Sequence, residues 1–332
     1  MRRALLVFVL LAISAAICSA QEAPTKVFRL GIIGLDTSHV PAFTGLLNNP
    51  KNGYSCRVVA GYPGGSPDVE SSWSRVEKYT AQLRDEFGVE IVDSIETLCT
   101  KVDGVLLESV DGRPHLAQAT PVIAAKKPLF IDKPMAGSLT DVIAIFELAK
   151  KNNVPCWSSS SLRFGPGVYG MRDNSELGKV IGCDAFGPCS LEPHHPDLYW
   201  YGIHGVEILF TIMGPGCQSV RRVQTDSVEH VVGVWRDGRV GTFRGIKSGK
   251  GDYGAMVYGA KKVMPSGGYS GYGDLVKEIV KFFETGKSPI PAEETIEIFA
   301  FMTAADVSKT QGGTAVSIAS VIEDAKAQLA RK

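Results

Sequence analysis

The chain has 332 residues, 44% of them hydrophobic and 21% charged, which excludes a disordered protein and leaves room for two domains with a sizeable core. Lysine plus arginine balances aspartate plus glutamate at 35 each. With no net field to hold nucleic acid or an anionic membrane, the composition favours a neutral or sugar-like small molecule as partner.

The first element is an export signal over residues 1–20: Arg2-Arg3, an apolar run from Ala4 to Ile13, and small residues up to Ala20. Ile17 before Cys18 argues against a lipid-modified cysteine, and the strongly apolar run favours export of the unfolded chain over the folded-protein route that twin arginines can signal. The run is too short for a stable membrane span, and no later stretch is long enough for one. A mature chain starting near Gln21 is expected outside the cytoplasm, periplasmic or extracellular. It keeps Cys56, Cys99, Cys156, Cys183, Cys189 and Cys217, which permit disulfides, Cys183 with Cys189 being the closest pair, and equally permit buried free thiols. No CxxC or HxxxH spacing suggests a metal.

Residues 26–160 alternate short apolar runs with amphipathic stretches. Predicted strands are Val27 to Leu35, Cys56 to Tyr62, Glu90 to Val92, Gly104 to Ser109, Pro128 to Asp132 and Val154 to Ser158. Between them lie helical patterns at His39 to Leu47, Ser72 to Phe87, Ile95 to Cys99, His115 to Ala125 and Leu139 to Asn152. Repeated βα units of this length specify a doubly wound parallel sheet, so the fold class is α/β with a Rossmann-like first domain. Residues 161–332 change texture. Alternating hydrophobicity at Ser219 to Thr225, His230 to Trp235, Gly238 to Gly245 and Ala255 to Tyr258 reads as a mainly antiparallel sheet. Helices are predicted from about Gly205 to Met213, Leu275 to Thr285, Glu293 to Lys309 and Ile318 to Ala330, with Gly286 and Gly312 as stops. The second domain is α+β, and a pocket is expected between the two.

Three stretches carry chemistry. Gly31-Ile32-Ile33-Gly34-Leu35-Asp36-Thr37-Ser38-His39 joins the first strand to the first helix, where backbone N–H groups and the helix dipole receive a pyrophosphate. The full fingerprint would place glycines at 34, 36 and 39, and this chain has Asp36 and His39 instead. A carboxylate at 36 would repel phosphate, so Asp36→Gly is expected to tighten dinucleotide binding unless Asp36 has another role. The second strand ends at Tyr62-Pro63 and not in an acid for the ribose hydroxyls. Phe130-Ile131-Asp132-Lys133-Pro134 puts a lysine at a strand end, and Tyr201-Gly202-Ile203-His204 puts a histidine at a helix start. Together they suit proton handling on a polar substrate, while each alone is equally an ordinary surface cation or a satisfied histidine. His194-His195-Pro196-Asp197-Leu198-Tyr199-Trp200-Tyr201 suits a sugar-binding wall or an aromatic packing loop, and Arg163 and Lys179 are further candidates for substrate contact.

In order and spacing these segments, with Asp103-Gly104-Val105 leading to His115, Asp132-Lys133-Pro134, Leu177 to Gly182, and Glu294-Thr295 through Ala304-Ala305 to Ser308, resemble the glucose-fructose oxidoreductase and inositol dehydrogenase superfamily, Gfo/Idh/MocA. The resemblance implies oxidation of a sugar, polyol or cyclitol hydroxyl by tightly held NAD or NADP, with Lys133 and His204 as catalytic residues. It implies cofactor contacts at Gly31, Gly34, Leu35, Asp36, Thr37, Ser38, His39, Tyr62, Ser109, Val110, Asp111, His115 and Asp132, and substrate contacts at Arg163, His195, Trp200, Tyr201 and Glu207. By analogy it also implies a homo-oligomer. The family's aspartate four residues before the histidine is Trp200 here, so Glu207 or Asp197 is a candidate to compensate. Two alternatives stand beside this reading: an NAD-dependent glycosidase working by transient sugar oxidation, and a non-catalytic sugar-binding protein on a degenerate Rossmann scaffold.

Overall fold

A computed structural model describes residues 27–331; the export signal expected over residues 1–20 lies outside the described residues. The first sheet is parallel throughout, with β1 (Phe28–Ile33), β2 (Cys56–Tyr62), β3 (Glu90–Ile91), β4 (Gly104–Leu107), β5 (Leu129–Asp132) and β6 (Cys156–Ser159) in the order β3-β2-β1-β4-β5-β6. Every residue of β4 and β5 is buried, because helices cover both faces and leave no room for a polar alternation. On one face, α1 (His39–Leu47) and α2 (Glu70–Phe87) pack on Leu30, Leu106 and Phe130. On the other, α3 (Ile95–Lys101), α4 (His115–Ala124) and α5 (Leu139–Lys151) pack on Val105, Leu107, Leu129 and Ile131. Local signals end these helices where expected: Gly88 closes α2 in the left-handed region, and Ser138 caps α5 by accepting the Asp141 N–H. The strand order reverses at β1 and β4, so a crevice opens beyond their carboxyl ends.

The second sheet holds β7 (Val180–Pro188), β8 (Cys217–Gln224), β9 (Val228–Trp235), β10 (Val240–Ile246), β11 (Gly254–Gly259), β12 (Val263–Pro265) and β13 (Val316–Ser317), in the order β12-β11-β7-β10-β9-β8-β13. It is antiparallel except between β7 and β10. Strand β7 is not among the predicted strands, since two glycines, an aspartate and a terminal proline blur its alternation. Helix α6 (Asp197–Trp200) leads into α7 (Gly202–Met213), which lies on this sheet: a Cβ at Gly205 would stand 2.1 Å from the Phe243 ring, so only glycine lets the helix come this close. Helices α9 (Ala292–Thr310) and α10 (Ile318–Leu329) complete that side. Helix α8 (Gly273–Thr285) instead covers the first sheet, with Phe283 stacked 5.5 Å from Phe28. Periodicity reveals its apolar face but not which sheet receives it. The six cysteines among the described residues are all unpaired, so no disulfide joins Cys183 and Cys189.

Candidate active site

The strand ends of the first sheet and the start of α7 meet in a cleft of about 360 Å³. It is lined by Thr37, Ser38, His39, Ser71, Arg75, Val110 and Lys133 from the first sheet's loops and helices, and by Ser161, Leu162, Trp200, Tyr201, His204, Tyr253, Tyr269 and Tyr272 from the segments after β6.

Lys133 follows the buried end of β5, and its amine lies 5.6 Å from the centroid of the Tyr201 ring. Burial lowers its pKa, the Asp132 carboxylate opposes that, and the charge of Arg75 adds to it. Asp132 lies beneath the cleft with Oδ2 2.6 Å from Nδ1 of His39. Burial alone would raise its pKa, but His39 and Lys133 hold it below the ordinary value. The His39 ring stacks on Phe43 at 5.4 Å and tilts against Tyr272 at 4.7 Å. Position 39, where the fingerprint has glycine, thus holds a brace for the strand that presents Lys133.

His204 sits in the first turn of α7 with Nδ1 2.7 Å from Ser160 Oγ, and its ring meets Tyr201 and Tyr253 edge-on at 5.8 and 5.7 Å. Burial, then the positive charges of Lys133 and His39, push its pKa well below the ordinary 6.5, so the imidazole is neutral. The carboxylates expected to assist it are committed elsewhere. Glu207 receives Arg163 and Ser159, and Arg163 also reaches Glu294 at 2.8 Å; all three charged groups are buried. Arg163 and Glu207 are therefore an internal ion cluster and not cleft-lining substrate contacts. Asp197 pairs with Arg222 at 2.6 Å and Lys309 at 2.7 Å. Trp200 and Tyr201 do line the cleft, whereas His195 is buried behind it, between Asp111 at 2.9 Å and Glu192 at 2.7 Å.

The glycine loop departs most from expectation. Gly31 packs on Leu98, Leu35 is core, and Gly34, at φ +86°, has Ser109 where a Cβ would be. The Gly34 and Leu35 N–H groups donate to the carbonyls of Tyr62 and Pro63, and His115 is buried between the carbonyls of Ser109 and Met135. These residues shape the loop from inside and do not face the cleft. Asp36 is 1% exposed; it accepts the Val110 N–H at 2.9 Å and the Ser72 hydroxyl at 2.5 Å. Burial raises its pKa and both hydrogen bonds oppose the rise. Asp36 thus braces the glycine loop against α2 and the segment after β4, and Asp36→Gly is expected to loosen that junction. Residues 63–72 lie across the crevice, tied by Ser66 to Asp111 at 2.6 Å and by Arg113, which bridges Asp68 and Asp111 at 2.8 and 2.7 Å.

Thr37, Ser38, His39 and Val110 remain on the cleft wall. The N–H groups of Thr37 and Ser38 donate to no acceptor among the described residues, and the Ser71 hydroxyl and the Arg75 guanidinium stand on the same wall. This donor set fits phosphate oxygens at the start of a helix. Four features escaped the sequence reading: Ser160, Arg75, the tyrosines of the 253–272 segment, and Glu108. Glu108 is completely buried with neither carboxylate oxygen hydrogen-bonded; burial, then Asp132 and Asp36, push its pKa well above 4.5. The serine run Ser158-Ser159-Ser160-Ser161 at the end of an apolar strand is the one signal in the sequence that marks the place of Ser160.

Residues 28–160 match the family described as oxidoreductase family, NAD-binding Rossmann fold. No curated protein matches in sequence. Solved structures share the fold over most of the chain. A scyllo-inositol dehydrogenase from Lactobacillus casei with bound cofactor NAD(H) and scyllo-inositol superposes with a TM-score of 0.74 at 12% identity, covering 89% of this chain and 100% of that one. An oxidoreductase from Agrobacterium radiobacter in complex with NAD+, L-tartaric acid and magnesium gives 0.70 at 15% identity, covering 89% and 99%. A probable dehydrogenase from Thermotoga maritima gives 0.71 at 20% identity, covering 88% and 99%. At these identities the likeness is one of fold.

Proposed function

We propose, from the premise that this chain belongs to the Gfo/Idh/MocA oxidoreductase family, a family of NAD-binding enzymes, that it oxidises a hydroxyl group of a sugar, polyol or cyclitol. The observation that carries the reading is the meeting of Lys133 and His204 in one cleft whose far end offers phosphate donors. Bound NAD supplies the hydride acceptor. Thr37 and Ser38, whose N–H groups are free at the start of α1, would hold its diphosphate end. His204, kept neutral by burial, donates Nδ1–H to Ser160 and takes the hydroxyl proton on Nε2. The Lys133 ammonium donates to the same hydroxyl oxygen and stabilises its developing negative charge. Trp200, Tyr201 and Tyr253 cover the apolar faces of the ring and exclude water. With residues 1–20 directing export, the cofactor stays bound through coupled oxidation and reduction. Ile181, Val223, Val234 and Val240, exposed on strands of the second sheet, suit a homo-oligomer contact.

The Asp36 bridge favours a second reading, a sugar-binding module that takes no dinucleotide. Native mass spectrometry of the purified mature protein separates the two, followed by absorbance of reduced nicotinamide on addition of a polyol and sugar panel. The first reading expects a retained or titratable dinucleotide mass and reduction by at least one polyol. Sugar binding without any dinucleotide would establish the second.

A further inference from the structure

Where a Rossmann loop has its second glycine, the missing side chain lets backbone approach the pyrophosphate. Here that position is Asp36, buried and bonded through one oxygen to Val110 and through the other to Ser72. A diphosphate cannot share the space with this carboxylate, and like charge would oppose it there. The open part of the cleft begins at Thr37 and continues outward to Ser71 and Arg75 on α2.

Arg75 is the arginine of the cleft wall. Its Nε is held by the Ser71 carbonyl, and among the described residues no carboxylate forms an ion pair with it. Arg113, Arg163 and Arg222, by contrast, each bridge at least two carboxylates. It lines the same cleft as Lys133, and its charge acts on both Asp36 and Lys133. A guanidinium presents a planar fork of donors that matches phosphate oxygens two at a time.

We infer that Arg75, with Ser71 and the free N–H groups of Thr37 and Ser38, forms a diphosphate site displaced outward from the glycine loop onto α2, in compensation for Asp36. The identity of the diphosphate as part of a dinucleotide rests on the function proposed above; the anion site does not.

The test is calorimetry with inorganic pyrophosphate and, separately, with NAD+, on the wild type and on Arg75→Gln, Arg75→Lys and Asp36→Gly. Thermal melts confirm that each is folded. Wild-type protein freed of any retained dinucleotide should bind pyrophosphate, and Arg75→Gln should weaken binding roughly tenfold to a hundredfold, the scale of lost hydrogen bonds to a charged group. Arg75→Lys should recover part of the loss, because a point charge replaces the fork. Asp36→Gly should not tighten either ligand. Equal pyrophosphate affinity in wild type and Arg75→Gln, no pyrophosphate binding by the wild type, or tighter binding by Asp36→Gly would each overturn the inference. Arg75-dependent pyrophosphate binding with no NAD+ binding would keep the site and remove the dinucleotide. NAD+ binding insensitive to Arg75 would do the reverse.

Discussion

Two groups of ionisable side chains flank the cleft, and they are built on opposite plans. Behind it, Arg163 is enclosed by Glu207, Glu294 and, through Glu207, Ser159, so each charge finds its partner inside the protein. On its wall, Lys133, Arg75 and His204 bring basic groups together, while the Asp132 carboxylate beside Lys133 is already bonded to His39. A buried charge that is fully paired holds architecture together, whereas basic groups without matching acids have interaction capacity left for a ligand. His204 and Glu207 sit three residues apart on α7, yet they fall on different sides of this division.

The comparison breaks most visibly in the closed cluster. Arg163→Leu strands Glu207 without a countercharge, leaves Glu294 only Arg172 at 3.7 Å, and should cost about 3–5 kcal/mol of stability in urea denaturation. Unchanged stability with lost sugar affinity would move Arg163 to the substrate. On the open side, Lys133→Met and His204→Ala should keep the fold and lower turnover by roughly a hundredfold or more, with the double variant losing less than the product of the two. Wild-type turnover in both would end the proton-handling assignment. The pH profile sharpens it. Because burial and then Lys133 lower the His204 pKa, the acid limb of kcat/KM should lie below 6.5, with activity lost as pH falls through it. Lys133→Met removes a positive neighbour and should move that limb upward.

Glu108 offers a smaller test beneath the same wall. Its folded-state pKa is raised, so above the ordinary 4.5 the folded protein keeps a proton that the unfolded chain releases, and stability falls as pH rises through that window. Glu108→Met removes both the titration and the unpaired oxygens. It should stabilise by about 1–3 kcal/mol, more near neutrality than near the ordinary carboxyl pKa, by denaturation at the two pH values. A variant less stable than wild type at both would show that the carboxyl has a partner in solution.

The sequence by itself determined the alternation of βα units, and with it the parallel sheet, the crevice beyond β1 and β4, and the placing of Lys133 at a strand end and His204 at a helix start. These are local properties: apolar period, capping residues and glycine stops act over a few neighbouring residues. Only the tertiary structure decided what each polar side chain meets. Ser160, 44 residues before His204, became its partner in place of Glu207 one turn away. Asp36, which reads as an obstacle to phosphate, became a brace because Ser72 and Val110 converge on it from α2 and from beyond β4. Arg75 carried no motif at all and gained a place on the cleft wall because α2 starts above the glycine loop. Hydrogen bonding and charge pairing act over a few ångströms between segments distant in the chain, so the packing of helices on the sheet chose these partners.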